Sequence, residues 1–268
     1  MRWQQEQVRR IAVPLGLVLV WEAAVRLQLV HSAFVPRPSV VAINWFYWIA
    51  GGPEEVAPLY SATWLNHVLS STERVMAGLL IATVVGIVLG ILVGRFRAAE
   101  QLLDPTLQVL RPIPVSAWLP FAVVFFGIKN VSAIFLIFIG AIFPIYLNTY
   151  HGVRQVDRIL IRASQMLGTK SHRILWRVIL PAALPAIFTG LRLAAGLAWV
   201  LVIVSEMLAV KSGLGYVMWD AYFFMRMDMI IAAMFSVGLM GFLTDRVIIW
   251  IKDWFTGWTQ GLTMEPVQ

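Results

Sequence analysis

The stretch VMAGLLIATVVGIVLGILVG, residues 75–94, carries no charged side chain from end to end. A helix needs roughly 20 mostly apolar residues to cross a hydrocarbon core about 30 Å thick, and this run supplies them without a polar face. Five further segments qualify in the same way, at about 11–30, 106–126, 131–150, 186–210 and 229–251. The composition agrees: 60% of the 268 residues are hydrophobic and 13% charged, with a mean hydropathy of +0.79. Soluble domains carry about 25% charged residues. The expected fold class is therefore an all-α polytopic membrane protein with six transmembrane helices, taken as one domain over 1–268. Intrinsic disorder, a secreted disulfide scaffold and a soluble nucleic-acid binder are excluded. The chain has no cysteine, so disulfides and thiolate chemistry are absent. Its histidines, His31, His67, His151 and His172, are scattered and form no metal-binding spacing.

The net charge of +7 and pI near 10.1 would suit nucleic acid, but the distribution of the charges assigns them to membrane topology. With the N-terminus inside, thirteen Lys and Arg residues fall on inner segments and four (Arg37, Lys129, Lys211 and Arg226) on outer ones. The positive-inside rule then places both termini in the cytoplasm and Gly51–Pro58 outside. The first run is read as a retained span, because Glu22 and Arg26 interrupt its far half, unlike the core of a signal peptide. Between the first two spans, Val40–Ala50 is rich in Trp and Tyr and suits a short interfacial helix. Gly86, Gly90 and Gly94, four residues apart, line one helical face and allow a neighbouring backbone to come close. Gly190 and Gly196, with Ala194, Ala195 and Ala198, are read the same way.

The segment Gly152–Leu184, GVRQVDRILIRASQMLGTKSHRILWRVILPAAL, is long for a loop and lies on the inner side. Val153, Val156, Ile159, Leu160, Ala163 and Leu167 recur at helical intervals, with arginines on the other faces. Gly168 breaks the pattern, since glycine readily takes the left-handed conformation that ends a helix. A second short helix is expected over Ser171–Ile179, and Pro181 and Pro185 mark the return to the membrane. A helix–Gly–helix here is either a docking element for a partner or a surface hairpin bound to lipid headgroups through its arginines.

This loop resembles the EAA loop of bacterial ABC importer permeases, which runs Glu-Ala-Ala, then Gly four residues on, then a hydrophobic-Leu-Pro ending. Arg162, Ala163 and Ser164 stand at the leading positions, Gly168 at the glycine and Ile179-Leu180-Pro181 at the end. Arg162 replaces the Glu and Ser164 the second Ala, so any charged contact made by the Glu changes sign here. The likeness runs along nearly the whole chain and is closest to the nitrate/sulfonate/taurine branch. It rests on Leu69-Ser70-Ser71 with Arg74 and Gly78, and on DPTLQVLRPIPVSAWLP (104–120), FGIKN (126–130) and FPIYLNTYHGVRQVD (143–157). ILPAALPAIFTGLRLAAGLAW (179–199) and SEMLAVKSGLGYVM (205–218) complete it. The resemblance implies a two-fold dimer in the bacterial cytoplasmic (inner) membrane. It also implies two nucleotide-binding ATPase subunits inside and a solute-binding protein outside. ATPase coupling would then fall to Arg162, Ala163, Ser164, Leu167 and Gly168. The implied cargo is a small oxyanion such as a sulfonate, taurine or nitrate, with bicarbonate or a pyrimidine precursor as the alternative.

The chain contains no GxxxxGK[ST] loop, so ATP and its Mg are expected on the partner ATPase, with no cofactor on this chain and no enzymatic activity of its own. Ionisable residues inside spans are candidates for a translocation path. Arg192 suits an oxyanion because its guanidinium is forked, or it forms a structural pair with Glu22. Arg111, beside Pro112-Ile113-Pro114, either faces the path or snorkels to the inner interface. Glu206 would repel an anion and fits a gate or packing role better, and Trp118 and Trp199 are candidates to line the path. Pro112, Pro114 and Pro120 make the third span discontinuous. A secondary transporter is less favoured because no internal repeat is visible.

Overall fold

The computed structural model describes residues 2–29, 34–52 and 60–257; His31, Pro53 and Pro58 lie outside the described residues. Every regular element among the described residues is helical. They are α1 (Arg2–Arg26), α2 (Pro38–Ala50), α3 (Trp64–Arg95), α4 (Arg97–Leu110), α5 (Leu119–Phe126) and α6 (Asn130–Arg154). After these come α7 (Arg158–Met166), α8 (Ser171–Ile174), α9 (Leu180–Ala209), α10 (Leu214–Phe223) and α11 (Met227–Phe255). Among the described residues, four continuous helical runs are long and apolar enough to cross a membrane: Trp64–Arg95, Asn130–Arg154, Ser171–Ala209 and Met227–Phe255. A fifth is a broken pair, Arg97–Leu110 with Val115–Phe126, bent by 91°. The α1 helix overlaps the first expected run but is not among these spans; Arg9, Arg10, Glu22 and Arg26 interrupt its apolar stretch.

The bend has a local cause. Pro112 and Pro114 each lack an N–H, and Pro114 is extended, at φ −57° and ψ 134°, before a single tight turn at Val115–Trp118 leads into α5. The expected run 106–126 is thus two helices. A second difference concerns the short helix expected at Ser171–Ile179, which is continuous with the membrane helix in one 39-residue run. Pro181 does not stop it, because the preceding turn, Leu175–Ile179, is widened to a π-helix whose closing bond runs from Leu180 N–H to the Leu175 carbonyl. Such a turn accommodates the donor that proline lacks.

The chain folds as two compact units, residues 1–71 with 211–238 and residues 72–210 with 239–268. In the first unit the aromatic α2 is held by polar contacts. Asn44 donates to Asp228 (2.7 Å), which also takes a forked pair from Arg226. The Trp45 and Trp64 indoles both donate to the Ser236 hydroxyl. Tyr60 donates to Asp220 (2.7 Å); burial and this carboxylate both push its phenol pKa up.

The second unit is built on α6. Gly78, Gly86, Gly90 and Gly94 of α3 lie directly against Ile137, Ile145, Thr149 and Val153 of α6. A Cβ on Gly90 would stand 2.5 Å from the Thr149 Cβ and 2.9 Å from the Tyr146 carbonyl oxygen. On another side, Gly190 of α9 meets the Pro144 carbonyl, where a Cβ would fall at 2.9 Å. Gly196, expected from the sequence to pack in the same way, does not join this contact and faces open space. Leu79, Ala82, Ala141, Ile142, Ile145, Ala194 and Ala195 form the core between the three helices. In the same unit Arg74 and Glu206 form a buried ion pair of 2.6 Å, with the Arg74 Nε donating to Asn130 (3.0 Å).

Gly90→Val should overpack the α3–α6 seam and lower stability by about 1–3 kcal/mol, read as a fall in the thermal midpoint of the detergent-purified protein. Glu206→Gln, which leaves the Arg74 charge buried, should cost about 3–5 kcal/mol, whereas the apolar pair Arg74→Met with Glu206→Met should recover most of that loss. Equal destabilisation of the single and double variants would show that the pair is not what holds this site.

Candidate functional site

Helix α7 is finished at both ends by its own sequence. The Asp157 carboxylate accepts from Ile159 N–H (2.8 Å) as an N-cap. At the other end Gly168 adopts φ +75°, its N–H donating to the Gln165 carbonyl and Thr169 N–H to that of Ser164. This is the two-bond Schellman closure that glycine permits. Val153 and Val156 are buried with Ile174, Ile179, Ala183 and Ile187. The expected single apolar stripe is divided here: α6 ends at Arg154, α7 starts anew at Arg158, and the change of phase turns Ile159, Leu160, Ala163 and Leu167 outward. Leu167 is 85% exposed and Met166 89%, with Trp176 exposed nearby in sequence. Arg162 and Gly168 are also exposed, while Ser164 returns its hydroxyl to the Leu160 carbonyl. An apolar surface of this kind, on a helix whose caps are satisfied internally, is suited to meeting another protein.

The residues expected on a path divide into two groups. Arg111 and Arg192 line one groove of about 760 Å³, with Ile113 and Val115 from the proline break, Phe143, Pro144, Leu147 and Asn148 from α6, and Leu193, Gly196, Leu197 and Val200 from α9. The open side of Gly196 is part of this groove. Glu206, Trp118 and Trp199 do not line it. Glu206 is wholly buried on Arg74, and Trp199 is buried with its indole donating to Thr244 (3.0 Å). Trp118 packs edge-on against Phe121 and Phe135.

A structural pair with Glu22 is one of the two readings of Arg192, and the structure gives it a different carboxylate. Arg192 Nε donates to Asp245 Oδ1 (2.7 Å) and Nη2 to Oδ2 (3.1 Å), a forked pair between α9 and α11. Glu22 instead takes Arg26 (2.7 Å) and the backbone and hydroxyl of Ser39. Asp245 lies inside the sixth apolar run, so the rule that selects Arg192 from the sequence also selects Asp245.

A second cavity of about 570 Å³ shares Arg111, Phe143 and Leu147 with the first. It is also lined by Asp104, Gln108, Tyr146, Tyr150 and His151. Asp104 accepts from the Tyr146 hydroxyl (2.7 Å) through one oxygen and from Gln108 (2.6 Å) through the other. One turn earlier on α4, Glu100 accepts from Tyr150 (3.2 Å) and pairs with Arg154. These bonds tie α4 to α6, and the expected span, which begins at about 106, misses them. Among the described residues no group of three or more His, Asp or Glu side chains is placed to hold a metal ion. Chemically, the arrangement offers guanidinium and amide donors along an apolar groove, which suits passage of an anion.

Comparison with known proteins gives the family. Residues 82–259 match the family model described as "Binding-protein-dependent transport system inner membrane component". A putative ABC transporter permease protein of Methanocaldococcus jannaschii is 39% identical over 95% of this chain and 93% of its own length. The taurine transport system permease protein of Escherichia coli is 33% identical over 96% and 94%. The bicarbonate transport system permease protein of Synechococcus elongatus is 36% identical over 94% and 92%. Among solved structures, an inward-facing methionine ABC transporter shares the fold with a TM-score of 0.57 at 19% identity, covering 70% of this chain and 95% of that one. The chain is a multi-pass inner-membrane protein and belongs to the family of binding-protein-dependent ABC transporter permeases.

Proposed function

We propose that this chain is the translocating subunit of an importer for a small oxyanion, working as a homodimer with two ATPase subunits inside and a solute-binding protein outside. The observation that carries the coupling is the outward apolar face of α7, capped at both ends and left uncovered at Leu160, Met166 and Leu167. In this reading Leu167 and Ala163 meet the ATPase, Gly168 sets the turn, and Arg162 and Ser164 flank the contact. ATP and Mg act on that partner. Arg192 and Arg111 line the path, and Glu206, Trp118 and Trp199 shape its surroundings without lining the groove. Relatives are named for taurine, aliphatic sulfonates, nitrate and bicarbonate, compact solutes that each bear an anionic group rich in oxygen acceptors. A groove furnished with guanidinium donors fits that chemistry. Selectivity among them would rest on the external binding protein.

Both termini are proposed to be cytoplasmic, from the charge asymmetry. The chain has no cysteine to interfere with labelling. Lys211→Cys should therefore react with an impermeant maleimide from outside the cell, and Lys170→Cys only after the membrane is opened. Reversed accessibility of the two sites would refute the orientation.

Leu167→Glu adds a charge to an exposed position, so stability should change by no more than about 0.5 kcal/mol, while co-purification with the partner ATPase subunit falls at least severalfold. Gly168→Val forces a β-branched residue into a left-handed turn and should produce the same loss. Normal ATPase association in both variants would assign α7 to the membrane surface instead.

A further inference from the structure

The two cavities meet at Arg111, and the charges around them are unequal. In the larger groove Arg192 is neutralised by a forked contact to Asp245. Arg111 is different: among the described residues no ion pair or side-chain hydrogen bond engages its guanidinium, and the side chain is exposed to both cavities. The nearby carboxylate, Asp104, lines only the smaller cavity and has its two oxygens occupied by Tyr146 and Gln108. A cation on low-dielectric walls focuses its field into the space in front of it.

We infer that Arg111, at the junction of the two cavities, is the charge that selects anions in this protein, and that Arg192, held by Asp245, is not. This rests on reading the grooves as the transport path. An anion in the larger groove is drawn towards Arg111, where the guanidinium has donors to spare. On entering the smaller cavity it meets the Asp104 carboxylate, which favours release rather than retention. Arg111 is therefore a waypoint of intermediate strength. A site that must be left again cannot bind through every available charge, and here one of the two arginines is withdrawn from the anion by an internal partner.

The absence of native cysteine allows a direct measurement of the local potential. Leu147 lines both cavities and is half-buried. In Leu147→Cys protein in lipid nanodiscs, the rate of modification by an anionic methanethiosulfonate carrying a sulfonate is compared with that by a cationic one carrying trimethylammonium. Arg111→Gln should lower the anionic-to-cationic ratio at least about fivefold, because one unscreened charge is lost beside the thiol. Arg111→Lys should retain most of it. The neutral pair Arg192→Gln with Asp245→Asn should leave the ratio within about twofold. An unchanged ratio in Arg111→Gln would overturn the inference, placing that guanidinium among lipid headgroups. A fall in the neutral-pair variant as large as that in Arg111→Gln would also overturn it. If Arg111→Gln does not assemble, Arg111→Lys and the neutral pair still decide, since a loss in either contradicts the assignment. The ratio needs no ATPase and no transported solute. Failure of the proposed transport function, read as absent taurine or nitrate uptake in proteoliposomes with the partner subunits, is thus scored separately.

Discussion

Everything in the larger unit depends on how closely two helices approach α6. Glycines spaced along α3 bring its backbone onto Ile137, Ile145, Thr149 and Val153, and Gly190 does the same for α9 at Pro144. In lipid there is little hydrophobic gain from helix association, so van der Waals contact at short range must supply it. The approach also fixes where the faces of α6 that remain uncovered lie. Phe143, Leu147 and Asn148 are left to line open space because their neighbours on the helix are spent on packing. The groove is what remains of α6 after its two seams are made.

Charge is managed by the same geometry. Arg74 and Glu206 form a closed pair in the interior, and Arg192 and Asp245 form a half-exposed one at the groove wall. Breaking either leaves a lone charge in a poor solvent, while the intact pair contributes little net attraction for a passing ion. The protein thus carries several ionisable groups within its apolar helices, of which few present net charge to the path. The ladder of Glu100 and Asp104 against Tyr150, Arg154 and Tyr146 plays the corresponding role for α4, anchoring a helix that has no buried residue of its own.

The helical class and the apolar runs at 75–94, 131–150, 186–210 and 229–251 could be read directly, because a run such as 75–94 has only one economical solvent. The turn at Gly168 was equally plain, since a left-handed residue at a helix end leaves a local signature. Partner choice was not legible. Arg192 and Asp245 lie 53 residues apart, and no spacing rule links them across two helices. The stripe of small residues predicted a close contact at Gly190 yet also included Gly196, whose face proves to be open. Periodicity within one helix gives the existence of a face but not what covers it. The joining of Ser171–Ile179 to α9 was hidden for another reason: proline signals a break only when the preceding turn keeps the regular bond pattern, and here it widens.

That widened turn has a geometric consequence. Each residue of a regular α-helix advances the side-chain direction by about 100°, and a π-turn holds one residue more than the regular spiral would. The side chains before Leu175 are therefore offset by about one residue step from the register of α9, even though the rod is unbroken. Removing a single residue between Leu175 and Ile179 would return the segment to an even spiral, and the cytoplasmic end with α7 would swing by about a quarter of a turn around the axis of α9. The direction in which α7 presents its uncovered surface is thus set by one residue's worth of chain length, and not by any side chain on α7 itself.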